Sequence, residues 1–267
     1  MEQYQSINNK YFYINGLTDQ GNRNENQDCY LIEEHPILNN TVIAAVFDGV
    51  GGEKYGKETS MYANYLFKSY FLDSKYFDED TIRRRIHDIH YKIMNHTSGY
   101  TTLSLAILNP SYTYISNIGD SRIYTYNNKL KLITEDDSLV WRYVKEGKLS
   151  VDDLRFLKEN NVITRCLGDY RLRSIDVKKI KTPKEMIITS DGVHDILSLK
   201  MLKLILKQYK DEDVVPKIIL DSLTERDYIE EKASDYLLYH TNEPFNEKTY
   251  PGKDNTTAVL VKKKRLI

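Results

Sequence analysis

The sequence is poor in cysteine, proline and long apolar runs: of 267 residues, two are cysteine and six are proline. So few cysteines, together with an N-terminus that lacks the basic-then-apolar order of a signal peptide, indicate a reducing compartment, and we expect a cytoplasmic protein. The longest apolar run, residues 42–47, is far shorter than the roughly 20 residues of a membrane span. No linker-like stretch, charge block or repeat divides the chain, which predicts a single domain over residues 1–267.

A strong charge of either sign is also missing. The 38 Lys and Arg residues nearly balance the 39 Asp and Glu residues, for a formal net charge of −1. No global electric field would attract nucleic acid or an anionic membrane, so we expect neither as a partner. Partners must be recognised locally, and we expect a monomer.

Hydrophobic patterning predicts many short strands, with helices that come in pairs. Strands are predicted at 11–18, 28–34, 41–47, 101–108, 113–118, 122–126, 129–134, 172–180, 185–190 and 256–262. Helical spacing predicts helices at 55–72, 80–96, 198–209 and 213–224, and near 138–146 and 151–159. The four strands between 101 and 134 are typical of an antiparallel meander. The fold class is therefore α+β rather than alternating β-α-β, with a variable exposed segment at about 225–252.

Four apolar segments run into or out of an aspartate. Asp48, Asp120 and Asp191 follow strand-like runs, and Asp254 opens the last one. Carboxylates delivered to the rim of a sheet repel one another unless a cation collects them. The ligands in these segments are all oxygen, since none has Cys or His at the strand end. Hard ions, Mg²⁺ or Mn²⁺, are therefore predicted and zinc is not.

Each of these motifs also has a simpler interpretation as a turn. Asp-Gly after a strand is first of all a turn signal, and the segment 119–122 is predicted to be a hairpin in which Arg122 is structural. The turn interpretation does not explain the Gly51-Gly52 pair after Asp48. Nor does it explain why the same ending recurs in strands that are distant in sequence.

In order, the segments GNRNENQD (21–28), DGVGG (48–52), GYTT (99–102), GDSR (119–122), TEDDS (134–138), TRCLG (164–168), SDG (190–192) and DNTT (254–257) resemble those of the type 2C metal-dependent protein serine/threonine phosphatases, in their compact bacterial form. The resemblance covers about residues 11–262. Each motif alone would be a weak signal, whereas eight in the expected order are specific.

This resemblance implies a four-layer α/β/β/α sandwich of two antiparallel sheets flanked by helices. It also implies two Mn²⁺ or Mg²⁺ ions bridged by Asp48, with the Gly49 carbonyl on one ion and Asp191 and Asp254 on the other. Asp120 would complete a weaker third site together with Asp191. Asp28 would lie behind the ions and orient the attacking water.

Arg23 matches the phosphate-binding arginine of the family, and a planar guanidinium suits two phosphoryl oxygens. Without the resemblance it would be a surface arginine in a polar loop. Three positions depart from the family pattern. Val50 replaces a histidine that is the proposed general acid of many eukaryotic relatives, and Gln27 replaces a carboxylate. Asp137 stands where a histidine is common, so we expect a structural role for 134–138.

The resemblance implies hydrolysis of phosphoserine and phosphothreonine on protein substrates, opposing a cognate serine/threonine kinase. A mobile flap at about 135–170, with Trp141 and Gly147 in it, would shape access. Three alternatives stay open: a pseudophosphatase that binds phosphoproteins without turnover, a dedicated phosphatase of one anti-sigma-antagonist-like protein, and an aspartyl-phosphate phosphatase. The intact Asp48, Asp191 and Asp254 argue against loss of activity. Val50, in place of a second aspartate, argues against the aspartyl-phosphate enzyme.

Three histidines could suggest another metal site. His87 and His90 lie three residues apart on a predicted helix, and His194 lies close to Asp191. No third ligand accompanies the pair, so a packed or solvated helix face is the better interpretation. A local cap or surface position is expected for His194, and small core positions are expected for Cys29 and Cys166.

Overall fold

The computed structural model describes residues 3–50, 55–157, 159–224 and 254–265. In these ranges the chain forms two antiparallel sheets with helices outside them. The strands are β1 Gln3–Asn8, β2 Phe12–Asp19, β3 Asp28–Glu34, β4 Val42–Asp48, β5 Leu103–Leu108, β6 Tyr112–Ile118, β7 Arg122–Tyr126, β8 Leu130–Leu132, β9 Lys178–Lys181, β10 Glu185–Thr189 and β11 Thr256–Lys263. The helices are α1 Gly56–Leu72, α2 Glu79–His96, α3 Trp141–Lys145, α4 Asp191–His194, α5 Leu199–Gln208 and α6 Asp211–Thr224, with a 3-10 helix at Val151–Phe156.

The strands divide between a six-stranded first sheet and a five-stranded second sheet. The first sheet has the order β1-β2-β11-β10-β7-β8, and the second has the order β3-β4-β5-β6-β9. Strands from both halves of the sequence are neighbours in the first sheet, since β2 pairs with β11. The N-terminal and C-terminal parts of the chain are therefore built into one sheet.

Alternation of side chains along β4 shows how the layers are made. Val42, Ala44 and Val46 pack into the core between the two sheets. Ile43, Ala45 and Phe47 point the other way, into a second core formed with α1 and α2. A third core joins the first sheet to α4, α5 and α6. Successive side chains of a strand face opposite sides, so one fully buried strand serves two cores. The predicted four-layer α/β/β/α sandwich is confirmed.

The segment 119–122 is not the hairpin that the sequence predicts. β6 pairs with β5 and β9 in the second sheet, whereas β7 pairs with β10 and β8 in the first. The predicted four-strand meander is therefore split, and residues 119–121 cross from one sheet to the other. Gly119 has a φ of 97°, which a side chain would strain, and an added Cβ would lie 2.7 Å from Thr102 Cγ2.

Other differences lie at element ends. The predicted strand 172–180 is ordered as a strand only at Lys178–Lys181, and the predicted helices near 138–146 and 151–159 are a short α-helix and a 3-10 helix. Strand β1 and the one-turn helix α4 were not predicted. The helices predicted at 55–72, 80–96, 198–209 and 213–224 are confirmed within a few residues. Residues 225–252 lie outside the described residues, so their predicted exposure stays a prediction.

In the part of the chain that the structure describes, no helix combines the length and the apolar character that crossing a membrane requires.

A buried ion pair fixes the start of β7. Arg122 Nε and Nη2 donate to the Asp136 carboxylate at 2.6 to 3.1 Å, and both side chains are at most 4% exposed. Thr134 Oγ1 accepts a hydrogen bond from the Ile123 N–H at 3.1 Å. Asp137 accepts a hydrogen bond from the Gly119 N–H at 3.0 Å. These contacts give Arg122 and the segment 134–138 the structural role expected from the sequence.

We expect Arg122→Met to lower the free energy of unfolding by about 3–5 kcal/mol, because it leaves the Asp136 carboxylate buried without its partner. The matched control is Lys148→Met, which removes an ion pair with Glu146 whose side chains are 64% and 49% exposed, and should change stability little. Urea unfolding of the metal-free variants measures both. If Arg122→Met lowers the free energy of unfolding no more than the control does, the Arg122–Asp136 ion pair does not stabilise the crossover at residues 119–121.

Candidate metal centre

Five aspartates predicted as site residues lie at one edge of the two sheets. Asp48 ends β4 and is the register partner of Asp28, which begins β3. Asp191 lies two residues after the end of β10, whereas Asp120 and Asp254 lie two residues before β7 and β11, the two strands that pair antiparallel with β10. In an antiparallel pair the end of one strand meets the start of the other. The sheet topology therefore brings all five carboxylates to one place.

Ser190 joins the two sheets at this edge. Its Oγ donates to Asp28 Oδ2 at 2.7 Å and accepts the Thr257 N–H at 3.0 Å. Asp28 belongs to the second sheet, while Ser190 and Thr257 belong to the first. Asp28 is thus held by a donor from the opposite sheet. The sequence did not reveal this role of Ser190, although its position next to Asp191 was a signal.

The backbone of Asp48 is fixed from the neighbouring strand. Its carbonyl accepts hydrogen bonds from Thr102 N at 2.8 Å and Thr101 Oγ1 at 3.0 Å, and its N–H donates to Thr102 Oγ1 at 3.0 Å. At Gly49, an added Cβ would lie 2.5 Å from the Gly56 carbonyl oxygen. Only glycine fits there, with its carbonyl next to Asp48. Gly51 and Gly52, the pair that follows Asp48 in the sequence motif, lie outside the described residues.

The loop before β3 is tied to the start of β11 by Asn255. Its Oδ1 accepts the Gln27 N–H at 2.8 Å, and its Nδ2 donates to the carbonyls of Gln20 and Glu25. Gly192 packs against the same residue so closely that a Cβ would lie 2.2 Å from Asn255 O. Asn255 therefore positions the loop 20–27 against Asp254 and α4, a role that the sequence analysis missed.

Arg23 contacts one of the predicted metal ligands. Its Nη2 lies 2.5 Å from Asp254 Oδ2, and the Arg23 side chain is 48% exposed. The guanidinium reaches the rim of the carboxylate group, so Arg23 is more than a solvated loop residue. Its contact with Asp254 was not predicted.

Burial and the charges of neighbouring carboxylates raise the pKa values of four of the clustered carboxyl groups. Burial raises the pKa of Asp28 to about 6 and that of Asp120 to about 8. The pKa of Asp48 is well above its usual range because of burial and then the charges of Asp28, Asp191, Asp120 and Asp254. For Asp191 the causes are burial and then Asp254 and Asp120. The site gathers more negative charge than it can balance by itself.

The donor set fits hard divalent cations. Asp120 Oδ1 is buried with no hydrogen-bond partner, and so is Oδ2 of Asp195, a carboxylate one turn beyond Asp191 that the sequence analysis missed. Within the described ranges, no three His, Cys, Asp or Glu side chains are close enough to enclose an ion by themselves. Mg²⁺ dehydrates reluctantly and binds through few carboxylates while keeping several waters, so an open oxygen set of this kind suits it.

His90 and His194, which the sequence analysis considered as possible metal ligands and set aside, are held by other contacts. His90 is buried on α2, where its Nδ1 lies 3.1 Å from the Gly168 nitrogen. His194 is 4% exposed, and its Nδ1 lies 3.0 Å from Thr189 Oγ1, so it is buried rather than on the surface. Cys166 is buried as predicted, whereas Cys29 is half-buried, with its Sγ next to the Ser60 carbonyl.

The fold agrees with the comparisons to known proteins. The family model described as protein phosphatase 2C matches residues 16–218, and the chain belongs to this family. The family is metal-dependent, and this protein is a protein serine/threonine phosphatase that acts on phosphoprotein substrates.

Two relatives show how far the sequence similarity extends. The serine/threonine phosphatase stp of Listeria welshimeri is 28% identical over 262 residues, covering 92% of this chain and 94% of the relative. A putative protein phosphatase of Mycoplasma genitalium is 27% identical over 223 residues, covering 74% of this chain and 83% of the relative.

Solved structures share the fold at lower identity. The serine/threonine phosphatase Stp1 of Staphylococcus aureus superposes with a TM-score of 0.78 at 22% identity, over 99% of this chain and 96% of that one. The catalytic domain of the phosphatase PstP, in complex with two manganese ions, gives 0.71 at 19% identity, over 96% and 99%.

The raised pKa values predict how the stability of the metal-free protein depends on pH. In the unfolded chain, aspartates have a pKa of about 4. A carboxyl group whose pKa is higher in the folded protein contributes its full stabilisation below about pH 4. This contribution is lost as pH rises through the folded pKa values, about 6 for Asp28 and about 8 for Asp120. In chelator, the melting temperature should therefore fall between pH 5 and pH 8.

Asp191→Asn should flatten this decline, because it removes one of the repelling charges. The control Asp80→Asn changes a carboxylate that is 81% exposed on α2 and should keep the wild-type slope. Thermal melts at several pH values in chelator make the comparison. Equal slopes in wild type and Asp191→Asn would show that the cluster does not carry the predicted repulsion.

Proposed function

We propose that this protein hydrolyses phosphoserine and phosphothreonine on protein substrates with two Mn²⁺ or Mg²⁺ ions, in opposition to a serine/threonine kinase. The observation that carries the proposal is the meeting of five aspartates at one edge of the two sheets, four of which, Asp28, Asp48, Asp120 and Asp191, have raised pKa values. A carboxylate cluster of this kind is stabilised by a bound divalent cation. The manganese ions of the PstP catalytic domain support the same choice of metal.

In the proposed assignment, Asp48 would be a ligand of both ions. The Gly49 carbonyl would bind one of them, and Asp191 and Asp254 would bind the other. Asp120, whose Oδ1 has no partner, would form a weaker third site with Asp191. The tight packing of Gly49 and the three hydrogen bonds to the Asp48 backbone support this arrangement, because they fix the ligands before an ion arrives.

Divalent ions, when bound, lower the pKa of water and polarise phosphoryl oxygens. The chain itself supplies orientation. Asp28, whose Oδ2 accepts a hydrogen bond from Ser190 Oγ at 2.7 Å, would accept a hydrogen bond from the attacking water and so orient it. Val50 offers no proton to the leaving serine oxygen, unlike the histidine of many eukaryotic relatives.

Arg23 is proposed to bind the substrate phosphate. One of its nitrogens contacts Asp254, and a guanidinium has further N–H groups that can donate to phosphoryl oxygens. Its half-exposed position at the rim of the cluster supports a role in binding an incoming anion. The contact with Asp254 would hold the guanidinium in place before the substrate binds.

Residues 135–170 are proposed as a flap that shapes access to the site. Two backbone hydrogen bonds join the two ends of this segment. The Thr164 N–H donates to Asp137 O, and the Leu139 N–H donates to Val162 O. Its far part contacts the α4–α5 region, since Arg155 donates to the Ile196 carbonyl at 3.0 Å. These contacts support a flap that lies beside the helix that begins at Asp191. We further propose one catalytic domain that acts as a monomer in the cytoplasm.

Phosphatase assays on p-nitrophenyl phosphate and on a phosphothreonine peptide test this function. Metal-stripped protein should be inactive, Mn²⁺ or Mg²⁺ should restore turnover, and zinc should not, because the donor set is oxygen alone. Asp191→Asn should lower kcat by orders of magnitude, whereas the control Asp80→Asn should not. Full activity in excess chelator would contradict the two-metal proposal, and binding of the phosphopeptide without turnover would favour a pseudophosphatase.

The same assay separates Arg23 from the metal ligands. A hydrogen bond to a charged group is worth about 1.5–3 kcal/mol, so Arg23→Ala should lower kcat/KM by roughly ten- to a hundredfold, mostly through KM. Arg23→Lys should recover part of the loss. Calorimetric Mn²⁺ titration of Arg23→Ala should give near wild-type affinity. Lost Mn²⁺ affinity would instead assign Arg23 to the positioning of Asp254.

A further inference from the structure

His90 is a polar side chain on the buried face of α2, where it is 3% exposed and lies between the fully buried Ile89 and Ile93. Its Nδ1 lies 3.1 Å from the backbone nitrogen of Gly168. A backbone N–H can only donate, so Nδ1 must carry a lone pair. The ring that makes this contact is therefore neutral, with its proton on Nε2.

Gly168 occupies a backbone position that nothing else fits. Its φ is 90°, and an added Cβ would lie 2.9 Å from Gly99 O and 3.0 Å from Ile93 Cγ2. The N–H of Gly168 is buried at this point, so it needs an acceptor, and His90 provides one. The contact attaches the C-terminal end of the flap to α2.

The residue before Gly168 connects this anchor to the metal centre. Leu167 and Thr101 exchange two backbone hydrogen bonds, of 2.9 and 3.2 Å. Thr101 Oγ1 in turn donates to the carbonyl oxygen of Asp48 at 3.0 Å. The position of Leu167 is thus linked through one residue to the backbone of Asp48.

Two titratable residues face His90 from its own helix, and a charged pair faces it from the loop after Gly168. On α2 these are His87 and Tyr91, whose ring centroids lie 6.4 and 5.5 Å from that of His90. In the loop they are Asp169 and its ion-pair partner Arg171, 2.6 Å apart. Burial and His87 lower the pKa of His90, and Asp169 opposes this shift. The ring therefore stays neutral at neutral pH.

We propose that neutral His90 is a positioning residue that fixes the end of the flap, residues 164–168, against the strand next to Asp48, and that protonation of its Nδ1 releases this end. This proposal rests on the proposed function only for the measurements of catalysis. The hydrogen bond itself can be followed in metal-free protein without any turnover.

Two variants separate the hydrogen bond from simple packing. In His90→Asn, the amide Oδ1 takes the place of Nδ1 and cannot be protonated in this pH range. In His90→Leu, the side chain keeps its bulk and loses the acceptor. The readouts are amide hydrogen-exchange protection factors of Leu167 and Gly168 at pH 7.5 and pH 5, and kcat/KM on a phosphothreonine peptide.

At pH 7.5 we expect wild type and His90→Asn to protect Gly168 equally and His90→Leu to lose about tenfold or more. At pH 5 the wild type should lose protection, whereas His90→Asn should retain it. His90→Leu should also show a lower kcat/KM, which His90→Asn restores. A role in packing alone would give neither the pH dependence nor the rescue by Asn.

Equal protection of Gly168 in His90→Leu and wild type at pH 7.5 would overturn the proposal, as would equal losses in His90→Asn and His90→Leu. If His90→Leu does not fold, ¹⁵N chemical shifts of His90 in the wild type decide. An Nε2–H tautomer at pH 7.5 supports the proposal, and a proton on Nδ1 contradicts it. Absence of peptide hydrolysis in wild type would contradict the proposed function alone, since the exchange comparison needs no catalysis.

Discussion

Repulsion among aspartates at the shared edge of two sheets is the constraint on which the rest of the site depends. Asp28 and Asp48 come from the second sheet and Asp191 and Asp254 from the first, while Asp120 lies in the crossover between them. Asp28, Asp48 and Asp191 are charged only at a cost, because burial and the neighbouring carboxylates both raise their pKa values. A divalent cation would remove that cost, so the positions of the strand ends support the proposed metal site.

The surrounding hydrogen bonds prevent the carboxylates from moving apart. Ser190 holds Asp28 from the opposite sheet, and Thr102 bonds to both the N–H and the carbonyl of Asp48. Asn255 ties the loop of Arg23 to the start of β11. These polar side chains are buried and satisfied, which rigidifies the site and keeps its geometry unique. Preorganisation of this kind means that little reorganisation is needed when ions and substrate bind.

Local patterns in the sequence predicted much of the fold. The continuous apolar run from Val42 to Phe47 and the helical spacing of Ile82, Ile86, Ile89 and Ile93 are local signals, and both elements form within one residue of the predicted bounds. The segment 119–122 was predicted wrongly because a hairpin and a crossover between sheets use the same Gly-Asp turn residues. Which one forms depends on strand pairing with β10, about 65 residues away.

In the candidate site, too, some features follow from local sequence patterns and others depend on contacts between distant residues. Asp48, Asp120, Asp191 and Asp254 could be found because each lies at one end of an apolar run, whereas Asp28 was assigned from the family resemblance. Ser190, Asn255 and Asp195 could not be assigned roles, because their partners Asp28, Gln27 and Asn160 are distant in sequence. The contact between Arg23 and Asp254 depends on the same long-range packing. Short motifs thus indicate the chemistry, whereas the residues that orient it are defined only by the folded chain.

The number of protons released when a metal binds tests the central claim most directly. Calorimetric titration of metal-free protein with Mn²⁺ at pH 7, in two buffers of different ionisation enthalpy, gives this number. Because the pKa values of Asp48 and Asp191 are raised in the metal-free fold, binding should release about one proton or more per protein, and fewer in Asp191→Asn. Tight Mn²⁺ binding with no proton release would contradict the account, since the carboxylates would then be charged without a cation.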